Sequence, residues 1–273
     1  MVVGVVAQRG NERAQEVAAA IQEAMAAMGE ETRFDETTAA ALEEPGVPVA
    51  ALTDCPLVVS IGGDGTFLFV ARAVGSTPIL GVNLGEVGFL NGTVPTEASS
   101  VVPKIYRAIV DGSASIQTLP RIEAHASNST VGPAVNEIVV HSPQRGPAGR
   151  FEATVTIDGH EYLDDTFDGI LIATPTGSTA YNLSERGPLL TPKVAGLIIN
   201  GMCGSNPMPP LVVPLEATIE VTVAAGDGGM IISDGRTREP FSVPGSVTVE
   251  EAPEPVHIAG PPVEFFAALQ KLD

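Results

Sequence analysis

The chain has 273 residues, 44% apolar and 17% charged, with a formal net charge of −19. That apolar share excludes a disordered chain, and the length is enough for two domains. The negative charge excludes a general affinity for nucleic acid or anionic membrane, since both need a basic face to meet phosphates.

Lysine occurs only at Lys104, Lys193 and Lys271. An acidic, lysine-poor surface suits high salt, where like-charge repulsion is screened within a few ångströms, so a salt-adapted source is expected. Cys55 and Cys203 match no metal-binding or redox spacing, which points to a reducing compartment. The opening MVVGVVAQRG lacks the basic flank of a signal peptide, and no run approaches the ~20 apolar residues of a membrane span. A cytoplasmic protein is expected.

The pattern of the first hundred or so residues predicts alternating strands and helices. VVGVVA reads as a strand, and residues 11 to 29 as a helix with Asn11 as N-cap and Gly29 as stop. The acid-rich GEETRFDETTAAALEEPG, residues 29 to 46, has a helix-like texture. PLVVSIG reads as a strand, TFLFVARAVG as a helix ended by Gly75, TPILGVNLG as a strand, and residues 95 to 112 as a helix despite Pro103. Such alternation implies a parallel sheet with helices on its faces and a ligand site at the carboxyl ends of its strands.

From residue 114 short runs rich in Val, Ile and Thr take over. AVNEIVVHS, FEATVTIDG, DGILIATP, LVVPLEATIEVTVA, MIISDG and SVTVEE read as strands punctuated by Gly and Pro. PPVEFFAALQKL closes the chain as a helix whose Phe265, Phe266 and Leu269 are suited to docking on a core. The expected organisation is an α/β domain over 1–113, an all-β domain over 114–252, and a terminal segment, 253–273, whose helix packs back on the first domain.

Two stretches carry chemistry. In SIGGDGTFLFVARAV a strand turns into a helix through Gly62, Gly63 and Gly65, where missing side chains let an anion approach the amides of a helix N-terminus. The loop is neither a Walker A sequence nor a G-x-G-x-x-G fingerprint. A carboxylate there, Asp64, repels phosphate unless it serves the chemistry, either by accepting a proton from an attacking hydroxyl or by bearing on Mg2+. The same residue also fits a helix N-cap or an Asx turn, and spacing alone leaves these open. In FDGILIATPTGSTAYNLS a strand runs into small residues and hydroxyls, Thr174, Thr176, Ser178 and Thr179, with Tyr181 offering a stacking face. A turn with solvated hydroxyls fits this stretch equally.

GGDGTFL at 62–68, NLGEVGFL at 83–90, NEIVV at 136–140, DGILIATPTGSTAY at 168–181 and SDGR at 233–236 resemble, in order and separation, the motifs of NAD kinases. The resemblance covers about residues 54 to 240. It implies an α/β N-terminal domain with a mostly β C-terminal domain. It also implies phosphorylation of the adenosine-ribose 2'-hydroxyl of NAD, with ATP or polyphosphate as donor and Mg2+ or another divalent cation. By motif position Asp64 is the implied proton acceptor, framed by Gly62, Gly63, Gly65 and Thr66, with Asn83 opening the next motif. Asn136 and Glu137 match the pair that holds NAD hydroxyls and adenine, and Asp168 a dinucleotide-contacting aspartate. Thr176, Thr179, Ala180, Tyr181 and Ser184 match the adenine-receiving segment, and Arg236 stands where many relatives have Gln. A homodimer or homotetramer is implied.

The chain departs from the family pattern at INGMCGSNPMPPLVVP, which keeps only its Pro-Leu-Val-Val-Pro end, and at Arg186, where glycine is usual. Met202 and Cys203 read as loop packing. Arg145 and Arg150, in a Gly/Pro-rich loop, read as solvated charges with phosphate steering as the alternative. His125, His141, His160 and His257 show no ligand spacing, so no metal site is assigned to them. Two further readings remain open: a superfamily kinase for a lipid or sugar hydroxyl, and a non-catalytic NAD(H) sensor.

Overall fold

The computed structural model describes residues 2–85, 88–127, 129–144, 149–206, 208–226 and 228–271. The chain divides into two compact units, one formed by residues up to Leu119 together with those from Glu254 onward, the other by Pro120–Pro253.

The first unit is built on a mixed sheet. β1 (Val2–Ala7), β2 (Glu31–Asp35), β3 (Gly46–Val47), β4 (Val58–Gly62) and β5 (Ile79–Asn83) are parallel neighbours in the order β3-β2-β1-β4-β5. β1 and β4 are almost wholly buried, as apolar runs covered on both faces should be. α1 (Glu12–Ala26), α2 (Glu36–Leu42), α3 (Asp64–Val74) and α4 (Ala98–Val110) supply the crossovers. α1 begins as expected, with the Asn11 side chain accepting the Ala14 N–H at 3.2 Å. The acid-rich segment differs from its helix-like reading: its first half is β2, and α2 starts only at Glu36, capped by buried Asp35. Thr32 and Phe34 have the β-branched and aromatic side chains that a strand accommodates, and Phe34 joins the core. β6 (Ile116–Leu119) forms the far edge of this sheet.

The second unit consists of two six-stranded antiparallel sheets. One runs β11 (His160–Phe167), β10 (Phe151–Ile157), β15 (Ile219–Ala225), β18 (Gly245–Glu251), β7 (Ile122–Ala126), β8 (Ser129–Ala134). The other runs β14 (Leu211–Pro214), β13 (Gly196–Met202), β12 (Gly169–Ala173), β9 (Glu137–His141), β16 (Gly229–Ser233), β17 (Thr237–Phe241). Inward residues of both sheets, among them Val155, Phe167, Val221, Ile138, Ile170 and Ile199, share one core. The run LVVPLEATIEVTVA is two strands, not one: a turn in which Ala217 N–H donates to the Pro214 carbonyl sends β14 and β15 into different sheets.

The second sheet buries residues on both faces. Along β12, Ile170 and Ile172 face the shared core, while Leu171 and Ala173 join Tyr181, Leu190 and Ile232 on the other face. That outer cover comes from the chain after β12, where a 3-10 turn (Gly177–Thr179) leads into the one-turn helix α5 (Tyr181–Ser184). After this unit the chain rejoins the first sheet as β19 (Val256–Ala259), between β5 and β6, and ends in α6 (Phe265–Leu269). The Phe265 ring lies 5.9 Å from that of Phe89.

Candidate functional site

The glycine loop lies at the carboxyl ends of β4 and β5, where open α/β sheets expose amides and leave space for a ligand. β4 ends at Gly62, and a Cβ there would come within 2.4 Å of Thr66 Oγ1, so the turn into α3 closes only around glycine. Gly63 is different. Its φ is −90°, and a Cβ would meet nothing within 4 Å, so neither backbone conformation nor internal packing demands glycine there. Gly65 and Thr66 stand in the first turn of α3, with Gly65 exposed.

Asp64 neither caps its helix nor closes an Asx turn. The N-cap is Gly63, and no side chain caps α3. The Asp64 carboxylate instead reaches residues that follow β5: Oδ2 accepts the Phe89 N–H at 2.8 Å, while Oδ1 accepts the Leu90 N–H at 3.2 Å and the Asn91 Nδ2–H at 2.8 Å. Burial pushes its proton affinity up, and these three donors pull it back. Asn83 Oδ1 accepts the Gly85 N–H at 2.9 Å and so starts the loop that ends on Asp64.

In the second unit a cavity of about 350 Å³ opens on the outer face of the β9-β12-β13-β16 sheet. Strand alternation selects its wall: along β9, Glu137, Val139 and His141 face the cavity, while Ile138 and Val140 face the core. Glu137, Asp168 and Tyr181 line it together, joined by Met202, Cys203 and Arg238. Met202 and Cys203 are therefore wall residues and not only loop packing. Asn136 precedes β9, and its carbonyl accepts the Thr174 N–H at 2.9 Å. Gly177 passes so close that a Cβ would sit 2.0 Å from that carbonyl oxygen.

Glu137 is almost fully buried, and its Oε2 accepts no hydrogen bond from the described residues. Its carboxyl is pushed up to about 8, first by burial and then by the charge of Asp234. Protonated at neutral pH, it can both donate to and accept from a hydroxyl or a ring nitrogen.

The hydroxyls of the 174–184 segment largely serve the loop itself. Thr174 Oγ1 donates to the Val135 carbonyl at 2.6 Å and accepts the Gly177 N–H, and Ser178 Oγ accepts the Leu190 N–H at 3.1 Å. Thr179 Oγ1 donates to the Thr176 carbonyl at 3.1 Å, and Thr176 is buried. Ala180 is half-buried ahead of Tyr181, whereas Ser184 is exposed. Arg236 is exposed in the turn between β16 and β17, and the cavity wall takes Gly235 and Arg238 from that hairpin.

Two residues that sequence reasoning leaves without a role organise these sites. Asn91 donates to Asp64. Asp234 accepts the N–H groups of Val135, Asn136 and Glu137 at 3.1, 2.8 and 3.3 Å, and so shapes the turn that presents the Asn-Glu pair. Its motif, SDGR, is legible in the chain, but its role depends on a strand pairing that brings β16 beside β9. Arg150 is not a solvated charge: its Nη2 donates to the Thr166 carbonyl at 2.6 Å and to the Cys203 carbonyl, and its Nε lies 3.5 Å from Asp168 Oδ1. Arg145 lies outside the described residues. His125 Nε2 stands 3.3 Å from Glu123 and 3.5 Å from Glu250, a partly exposed cluster that antiparallel register creates from residues far apart in sequence.

Residues 3–109 match the family model of the ATP-NAD kinase N-terminal domain, and residues 135–260 that of the ATP-NAD kinase C-terminal domain. An NAD kinase of Haloarcula marismortui is 49% identical and one of Halorubrum lacusprofundi 48% identical, each over the whole of both chains; both come from halophilic archaea. Among solved structures, an NAD kinase from Archaeoglobus fulgidus in complex with ATP aligns at a TM-score of 0.81 and 25% identity, covering all of both chains. Yeast NADH kinase complexed with NADH aligns at 0.84 and 22% identity over all of this chain and 87% of that one, a likeness of fold.

Proposed function

The chain belongs to the NAD kinase family, and on that footing we propose that it phosphorylates the adenosine-ribose 2'-hydroxyl of NAD to give NADP, with Asp64 as general base. In this reading Asp64 accepts the hydroxyl proton as the ribose oxygen bonds to the γ-phosphorus of ATP. The bond from that phosphorus to the β–γ bridging oxygen breaks, and ADP leaves. The observation that carries the reading is the carboxylate's independence of its own helix: Asp64 stands in a glycine frame at the ends of parallel strands, held by donors from another segment. Gly63, which nothing in the protein's own packing requires, leaves room for phosphate to approach the amides.

The 350 Å³ cavity supplies the nucleoside site. Tyr181 presents an aromatic face, Asp168 and Glu137 present carboxyl oxygens, and the unpaired Glu137 Oε2 meets a hydroxyl or ring nitrogen of the substrate. Asn136, Thr176, Thr179, Ala180 and Ser184 shape or border the segments that form it, and Arg236 belongs to the same hairpin as Arg238. Asp64 faces three N–H donors, an environment suited to a carboxylate that exchanges a proton and poor for a cation. Asp64 would therefore not hold Mg2+; a divalent cation brought in with the phosphoryl donor would supply charge neutralisation as the phosphoryl group transfers. Polyphosphate is a second donor compatible with an anion site made of amides. We extend the proposal to a homodimer or homotetramer, to be checked by sedimentation in molar KCl.

The test is direct. Purified protein in molar KCl with Mg2+ and NAD, given ATP or polyphosphate, should form NADP. Asp64→Asn should retain NAD affinity and lose at least about a hundredfold in turnover. Wild-type turnover in that variant refutes the base assignment. NAD binding without NADP from either donor identifies a sensor, and phosphorylation of a lipid or sugar in place of NAD identifies another kinase of the superfamily.

A further inference from the structure

We propose that Asn91 is a positioning residue for the reaction: its carboxamide holds the Asp64 carboxylate in one orientation and leaves Oδ2 as the oxygen that takes the substrate's proton. The inference rests on the reading of Asp64 as the base.

The distribution of donors is uneven. Each carboxylate oxygen can accept about two hydrogen bonds. Oδ1 receives both the Leu90 N–H and the Asn91 Nδ2–H, whereas Oδ2 receives only the Phe89 N–H. Oδ1 is thereby saturated, and the remaining lone pair is on Oδ2. Turned the other way, the Asn91 amide would set an oxygen against the carboxylate, so the contact itself fixes which end faces Asp64.

Stability does not account for Asn91. The side chain is 4% exposed, and its Oδ1 is buried without a hydrogen-bond partner among the described residues. Burying an unpaired carbonyl is unfavourable, and an apolar side chain of similar shape would avoid that penalty. The fold nevertheless makes room for it: a Cβ on Gly81 would lie 2.2 Å from Asn91 Oδ1, so the strand beneath is glycine where the amide rests. The backbone beyond is anchored as well. Thr93 bridges to Val82 in parallel register, with Thr93 N–H donating to the Gly81 carbonyl and Asn83 N–H to the Thr93 carbonyl. An unfavourable, well-braced amide whose one satisfied end is a donor to Asp64 is arranged for what that donor does.

The donor stabilises the ionised carboxylate against burial, and among the described residues no other charge contributes to the proton affinity of Asp64; the groups that face it are the amides of Phe89, Leu90 and Asn91. Removing the Asn91 donor therefore makes Asp64 harder to ionise. In Asn91→Leu, the acid limb of the kcat–pH profile should move up by about one pH unit, with KM for NAD changed less than about threefold. Asn91→Asp keeps the shape but places a second carboxylate against the first, and should move the limb further.

Profiles are to be measured on the full chain in molar KCl with ATP, Mg2+ and NAD, beside Asp64→Asn. A limb that stays put in whichever Asn91 variant folds, with only the unfolding midpoint or the active fraction lowered, overturns the proposal. If Asp64→Asn itself keeps turnover, the reading of the base has failed and not this inference alone. In a crystal of the NAD complex the ribose 2'-oxygen should lie within hydrogen-bond distance of Oδ2, and contact through Oδ1 contradicts the orientation.

Discussion

Glu137 and Asp64 are both carboxyls drawn away from water, and their neighbours give them different chemistry. Asp64 has three N–H donors to offset burial, whereas Glu137 has the charge of Asp234 beside it and only the Tyr181 N–H in opposition. With its folded value raised from 4.5 to about 8, Glu137 contributes stability that is complete below the lower value and lost as pH rises through the higher. Glu137→Gln, neutral at every pH, should remove that slope. Denaturation of the two proteins at pH 5 and pH 8.5 should show the variant gaining on the order of 4 kcal/mol over wild type between the two conditions. Parallel behaviour would mean that Glu137 is ionised and paired in solution. The same substitution should weaken NAD binding, because an amide at this position cannot exchange its donor and acceptor roles.

The segments around the cavity show how local geometry is set by what a strand or turn must reach. Strand alternation divides β9 between core and cavity, so Glu137, Val139 and His141 can be grouped from their spacing once the strand is assigned. Asn91, Asp234 and Arg150 cannot, because their partners lie 27 or more residues away, or, for Arg150 and Thr166, beside strand neighbours that the local pattern does not name. Arg186 illustrates a departure that the structure explains in part. It follows α5 with φ of +60°, the left-handed region that favours glycine. Nothing in the structure explains why arginine stands there. Arg186→Gly should therefore stabilise the protein by about 0.5–1 kcal/mol in denaturant titrations, relief of the backbone exceeding the added freedom of the unfolded chain. A loss of stability would show that the arginine side chain makes a contact worth more than that relief.

Charge governs the behaviour of the chain as a unit. A net charge of −19 on 273 residues places many carboxylates near one another, and at molar salt the screening length falls to ~3 Å. The thermal unfolding midpoint should therefore rise as KCl is increased from tenths of a molar toward several molar. A midpoint that falls over that range would remove salt adaptation as the reason for the composition. No helix among the described residues is long and apolar enough to cross a membrane.

Elements with local signals were specified by the chain alone. Apolar runs alternating with helical periods dictated parallel strands in the first unit, and Val/Ile/Thr-rich runs with turn residues dictated antiparallel sheets in the second. The glycines of residues 62–65 announced a strand-to-helix junction with an aspartate inside it. The breaking of LVVPLEATIEVTVA into two sheets, the strand in the acid-rich segment, and the return of β19 to the first sheet were settled by packing between distant segments. So was the state of the carboxyl groups. Whether the Asp64 carboxylate caps its helix or is held apart from it depends on donors at 89–91, and whether Glu137 is ionised depends on burial and on Asp234. Such electrostatics arise only when strand register brings distant residues within a few ångströms, and no local pattern encodes that distance.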